Sequence, residues 1–182
     1  MTTRVLVAGI GNIFLGDDGF GVEVVRRLSD VDLPDRVRVV DYGIRGMHLA
    51  YDLAGGDYDL TIMVDATARG EPPGTVTVLE LDPVTAPTQA PAESTQLLDA
   101  HGMQPDVVLG LVDLLGAQPG RVLLVGCEPA VLDHGMALSP AVELMVDTAV
   151  RCVIDLVGRY DPENENRTDS ENRTEAGVKD WC

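Results

Sequence analysis

The sequence predicts an α/β fold, a three-layer α/β/α sandwich around a mostly parallel five-stranded sheet with one antiparallel strand. Short runs rich in Val and Leu recur along the chain, each bounded by turn residues, and amphipathic helical patterns lie between most of them. Strands that alternate with helices build a parallel sheet covered on both faces. One pair of runs breaks the alternation, because the span from Ala66 to Gly74 is too short to hold a crossover helix, and that marks the antiparallel strand.

The elements follow in order. Val5–Ala8, Val37–Val40, Leu60–Val64 and Val122–Val125 read as parallel strands, and Thr75–Leu81 reads as an antiparallel edge strand. Helical spacing predicts helices over 18–29, over 46–54, and over 105–116 with Val107, Val108, Leu111, Leu114 and Leu115 on its apolar side. A long final helix is opened by Ser139 as N-cap and Pro140 in the first turn, with Leu144, Ala149, Val153 and Leu156 along one face. Residues 82–100 form a Pro-, Ala- and Thr-rich connection of nineteen residues that ends at His101. Connections of that length are functional or disordered. The domain reading is a single unit over 1–160, followed by a disordered acidic polar tail over 161–182, in which Glu-Asn-Arg-Thr occurs twice without apolar periodicity.

Composition narrows the partners. At 182 residues the chain is long enough to bury a core. Thirty acidic against thirteen basic side chains give a net charge of −17, which argues against nucleic acid and other phosphate-rich partners. Cys127, Cys152 and Cys182 form no C-x-x-C pair, so neither a disulfide framework nor a thiolate zinc site is expected, and a reducing, cytoplasmic setting follows. Nothing in the sequence resembles a signal peptide or approaches the ~18 apolar residues of a membrane helix, so no membrane insertion is expected.

The stretch from Gly9 to Gly21 is the most informative. Entered from Val5–Ala8, it looks like the strand-to-helix turn that offers backbone N–H groups to a phosphate. It then departs from that pattern: Phe14 stands where the third glycine of G-x-G-x-x-G belongs, and Asp17 and Asp18 place two carboxylates at the helix start. Two carboxylates repel a pyrophosphate and favour a cation. Either aspartate alone is explained as a helix cap. Together, at the carboxyl end of a first strand, they suggest that Asp17 caps while Asp18 faces a ligand.

Asp65 ends the strand Leu60–Val64 and so lies at the same sheet edge as Asp18 if the two strands are parallel. His101 enters the helix that begins near Pro105. Two carboxylates and one imidazole form an open-sided ligand set for a divalent metal such as Zn, Ni or Fe, with positions left for water or substrate. Asp41 ends the second strand and serves equally as a cap; His48 and His134 read as structural or exposed. Cys127 reads as a buried small hydrophobe, and no G-x-S-x-G elbow is present.

The turn Gly9-x-Gly11-Asn12 with Asp17-Asp18-Gly19-x-Gly21 is followed in order by Asp41-Tyr42-Gly43, Val64-Asp65-Ala66, His101-Gly102-Met103, Gly126-Cys127-Glu128-Pro129 and Leu138-Ser139-Pro140. Over residues 4 to about 157 this series resembles the hydrogenase maturation endopeptidases. The resemblance implies an aspartic-type, metal-dependent endopeptidase that removes a C-terminal extension from the precursor of the large subunit of nickel–iron hydrogenase once nickel is inserted. It implies that Asp18, Asp65 and His101 are both the metal-contacting and the catalytic residues. The nickel is then supplied by the precursor, with zinc or cadmium as substitutes in the isolated protein. Some members carry Glu at the Asp18 position, so the shorter Asp shifts the metal slightly. The alternative class is a nickel-precursor-binding chaperone or sensor that uses the same three residues without cleavage.

Overall fold

The structure is a computed structural model in which residues 3–56, 58–82 and 104–160 are described. Five strands, β1 (Val5–Ile10), β2 (Val37–Gly43), β3 (Leu60–Ala66), β4 (Val76–Leu81) and β5 (Arg121–Cys127), form one sheet in the order β2-β1-β3-β5-β4. The first four in that order are parallel, and β4 closes the edge antiparallel to β5, with Val76 opposite Cys127 and Leu81 opposite Val122. This is the mixed sheet expected. The short 66–74 connection carries the chain past β5 instead of into a crossover.

Alternation along the buried strands divides the core between two faces. Val5 and Val7 of β1, with Leu60, Ile62 and Val64 of β3, pack against α1 (Phe20–Leu28) and α5 (Val146–Arg159). Leu6, Ala8 and Met63 face the opposite way, onto α2 (Gly46–Ala54) and α3 (Pro105–Leu114). Helices on both faces complete the three layers, and no helix among the described residues is long and apolar enough to cross a membrane.

Three local expectations need correction. The first helix opens with a 3-10 turn over Gly16–Gly19 before α1 begins at Phe20. In α3 the buried face is Val108, Leu109 and Val112, while Leu114 and Leu115 are exposed. The final helix is two helices, α4 (Pro140–Glu143) and α5, and the turn between them leaves Leu144 78% exposed while Val142 and Val146 reach the core. Cys127 is a buried free thiol. The 83–103 connection and the 161–182 tail lie outside the described residues.

Candidate active site

The carboxyl ends of β1 and β3 bring the candidate carboxylates to one place. The two strands are parallel neighbours with Gly9 level with Val64, so the turn that leaves β1 passes beside Asp65. Glycine permits the approach. A Cβ on Gly21 would lie 2.0 Å from the Val64 carbonyl oxygen and 2.4 Å from that of Ile10, so only glycine lets α1 settle onto the strand ends. Gly11 has φ +129°, and a Cβ there would lie 1.8 Å from the Asp18 carbonyl oxygen. The glycines therefore serve close backbone packing. The backbone N–H of Asn12 donates to Asp18 Oδ2 at 2.7 Å, so the turn's own carboxylate takes a donor that a phosphate would need.

Asp65 is only 6% exposed and accepts a hydrogen bond from the Ala66 N–H. Burial pushes its carboxyl well above the usual carboxylate range, and the neighbouring Asp18 carboxylate pushes it further the same way. Neither aspartate takes part in an ion pair among the described residues. Two carboxylates side by side, one of them desolvated, form a site of unbalanced negative potential into which a cation fits. His101 lies outside the described residues, and among those described no group of three His, Cys, Asp or Glu side chains is arranged to hold a metal.

Asp17 does something different from the capping expected of it. It is fully buried and accepts four hydrogen bonds from the segment after β5: the N–H groups of Ala130 and Val131, each at 2.8 Å, the N–H of Ser139 at 2.6 Å and its hydroxyl at 2.9 Å. Burial alone would raise its pKa, but those four donors more than offset this and hold it below 3.8. Ser139 correspondingly makes no side-chain cap on α4. Sequence reasoning missed this clamp because both residues look like helix starts locally and their meeting depends on a contact across the fold.

Glu128 was also missed. Its buried carboxylate accepts from the N–H groups of Arg69 at 2.7 Å and Gly70 at 3.2 Å, which lowers its pKa and ties the end of β5 to the chain just beyond Asp65. The weaker candidates stay outside the site. Asp41 is exposed and does not cap α2, whose N-cap position is Arg45 and which has no side-chain cap bond. His48 and His134 are exposed. Burial, with the Asp17 and Glu128 carboxylates nearby, pushes the Cys127 thiol up to about 12, which leaves it protonated and a poor nucleophile.

The arrangement agrees with the comparisons. A family model described as hydrogenase maturation protease matches residues 22–156. The hydrogenase 2 maturation protease of Escherichia coli K12 is 35% identical over 153 residues, covering 83% of this chain and 88% of that one. The hydrogenase expression/formation protein HupD of Rhodobacter capsulatus is 38% identical over 149 residues, covering 81% of this chain and 68% of its own. The solved structure of the hydrogenase maturating endopeptidase HybD from E. coli superposes with a TM-score of 0.69 at 32% identity, covering 86% of this chain and 93% of that one. With the mixed α/β sheet of that structure and the family model over most of its length, this chain belongs to the hydrogenase maturation protease family of endopeptidases.

Proposed function

We propose that this protein removes the C-terminal extension of a nickel–iron hydrogenase large-subunit precursor in the cytoplasm, and that Asp18, Asp65 and His101 recognise nickel already bound in that precursor. The observation that carries the reading is the burial of Asp65 beside Asp18 without a basic partner. Such a pair is balanced by a divalent ion presented from outside. Two carboxylates and one imidazole, with no thiolate among them, hold a metal of their own weakly, which suits a protein that borrows the ion of its substrate. Zinc or cadmium would occupy the same ligands in the isolated protein.

The chemistry is metal-assisted hydrolysis. Asp18, Asp65 and His101 would hold the precursor's nickel, which would supply Lewis-acid polarisation of the scissile carbonyl, and a site carboxylate takes the proton of the attacking water. The water oxygen bonds to the carbonyl carbon, the C–N bond breaks, and the proton passes to the leaving amine. Asn12 keeps one oxygen of Asp18 engaged through its backbone N–H, and the other would be the one to meet an ion.

The test is the mass of the precursor, nickel-loaded and nickel-free, before and after incubation with chelator-stripped protein. Loss of the extension from the loaded form alone is expected. Cleavage of the nickel-free form at a comparable rate after zinc is added to the protein would overturn recognition of substrate nickel. Binding with unchanged mass would favour a chaperone or sensor.

A further inference from the structure

Two loops at the carboxyl edge of the sheet expose apolar side chains on a backbone that is fixed in place. Residues 12–16, after β1, carry Ile13 and Phe14; residues 130–136, after β5, carry Val131, Leu132 and Met136. The loops are laced together by Gly135 N–H to the Phe14 carbonyl at 3.0 Å, Gly16 N–H to the Gly135 carbonyl at 2.8 Å and Asp17 N–H to the Val131 carbonyl at 2.9 Å. The Asp17 carboxylate adds two further bonds, to the N–H groups of Ala130 and Val131. Asn12 Oδ1 accepts the Phe14 N–H at 3.0 Å and fixes the other end.

All five side chains are exposed, Phe14 at 57% and Met136 at 72%. Single exposed apolar residues, such as Leu114 at the end of α3, need no explanation. Five on two laced loops are different, because folding leaves them in water while fixing the backbone that displays them. A rigid display loses little entropy when it is covered, which is the economy of a binding surface.

We propose that this surface docks an apolar segment of the large-subunit precursor next to its scissile bond. The inference rests on the reading of the site given above. Two observations choose the occupant. The surface is continuous with the active site, since Asn12, which fixes the Phe14 loop with its side chain, holds Asp18 with its backbone N–H. The chain also carries a charge of −17, so a second copy on this surface would bring two strongly acidic bodies together around the Asp18–Asp65 pair, at a Coulomb cost that an uncharged apolar segment avoids.

The test uses the full chain with Phe14→Ser and Met136→Gln combined, and separately with Leu132→Gln, apolar side chains that make no hydrogen bond to Asp18 or Asp65. Processing of nickel-loaded precursor is followed over a range of precursor concentrations, and binding of nickel-free precursor is measured in parallel. The double variant should raise KM about tenfold or more at unchanged kcat, weaken nickel-free binding by a similar factor, and melt at the wild-type temperature. Leu132→Gln should raise KM in the same direction by a smaller factor. Unchanged KM and unchanged binding in both variants would overturn the proposal. So would sedimentation showing a wild-type dimer that the double variant dissolves at unchanged KM, which would make the surface a contact between copies. Failure of nickel recognition has a separate signature, processing of loaded and nickel-free precursor at equal rates, under which the KM ratio still reads the surface.

Discussion

Asp17 and Ser139 stand 122 positions apart and are joined twice, by Ser139 N–H to Asp17 Oδ1 at 2.6 Å and by the Ser139 hydroxyl to Asp17 Oδ2 at 2.9 Å. The bond pair makes the first turn of the chain and the start of its last helices one unit. It also separates the two neighbouring aspartates by role: Asp17 is consumed in structure, which leaves Asp18 for the site.

Asp17→Ala should destabilise the protein by about 3 kcal/mol, well beyond the ~1 kcal/mol of a lost helix cap, because it strands several partly buried donors at once. Ser139→Ala removes one donor and leaves the backbone bonds, and should cost about 1 kcal/mol. Thermal melting checks both; for a chain of this size the larger loss appears as a Tm lower by roughly 6–12 °C. Equal, small shifts for the two variants would show that the clamp contributes little.

Acid should expose the same clamp. The folded pKa of Asp17 is depressed below 3.8, so its contribution is present in full above the unfolded value and is lost as pH falls through the folded one. Asp17→Asn, less stable at neutral pH, should therefore lose less stability than the wild type between about pH 4 and pH 2. Denaturant midpoints measured across that window decide it; parallel curves would contradict the assignment.

Asp18→Ala, Asp65→Ala and His101→Ala should each abolish processing or reduce it at least about a hundredfold, the scale of losing a positioned acid–base or metal-contacting group. Asp65→Asn should do so while raising Tm, because it removes a buried carboxylate that faces another. Normal processing by His101→Ala would remove it from the ligand set.

Glycine substitutions should divide sharply. Gly21→Ala places a methyl group 2.0 Å from the Val64 carbonyl oxygen, so α1 must lift from the strand ends; severe destabilisation or loss of soluble protein is expected, with loss of processing. Gly56→Ala meets nothing within 4 Å and pays only for a φ of +70°, about 1 kcal/mol. Circular dichroism melts of the two variants provide the comparison.

The sequence by itself determined the layering and the antiparallel edge. Val/Leu runs separated by helical periodicity leave few ways to bury both faces of a sheet, and the span from Ala66 to Gly74 is too short for a helix. That Asp18 and Asp65 lie toward one end of the sheet was legible, because Asp18 follows β1 and Asp65 stands at the end of β3, two parallel strands. The break between α4 and α5 was not legible, since no glycine or proline marks it, and the exposure of Leu144 follows from that break. The sequence separated Asp17 from Asp18 only as a local cap beside a ligand-facing residue; that Asp17 is a clamp across the fold belonged to the tertiary structure alone. Both residues have the same local propensities at a helix start, and only the return of residues 130–139 to the first turn, with its four donors aimed at one carboxylate, decides that Asp17 is the one buried in hydrogen bonds.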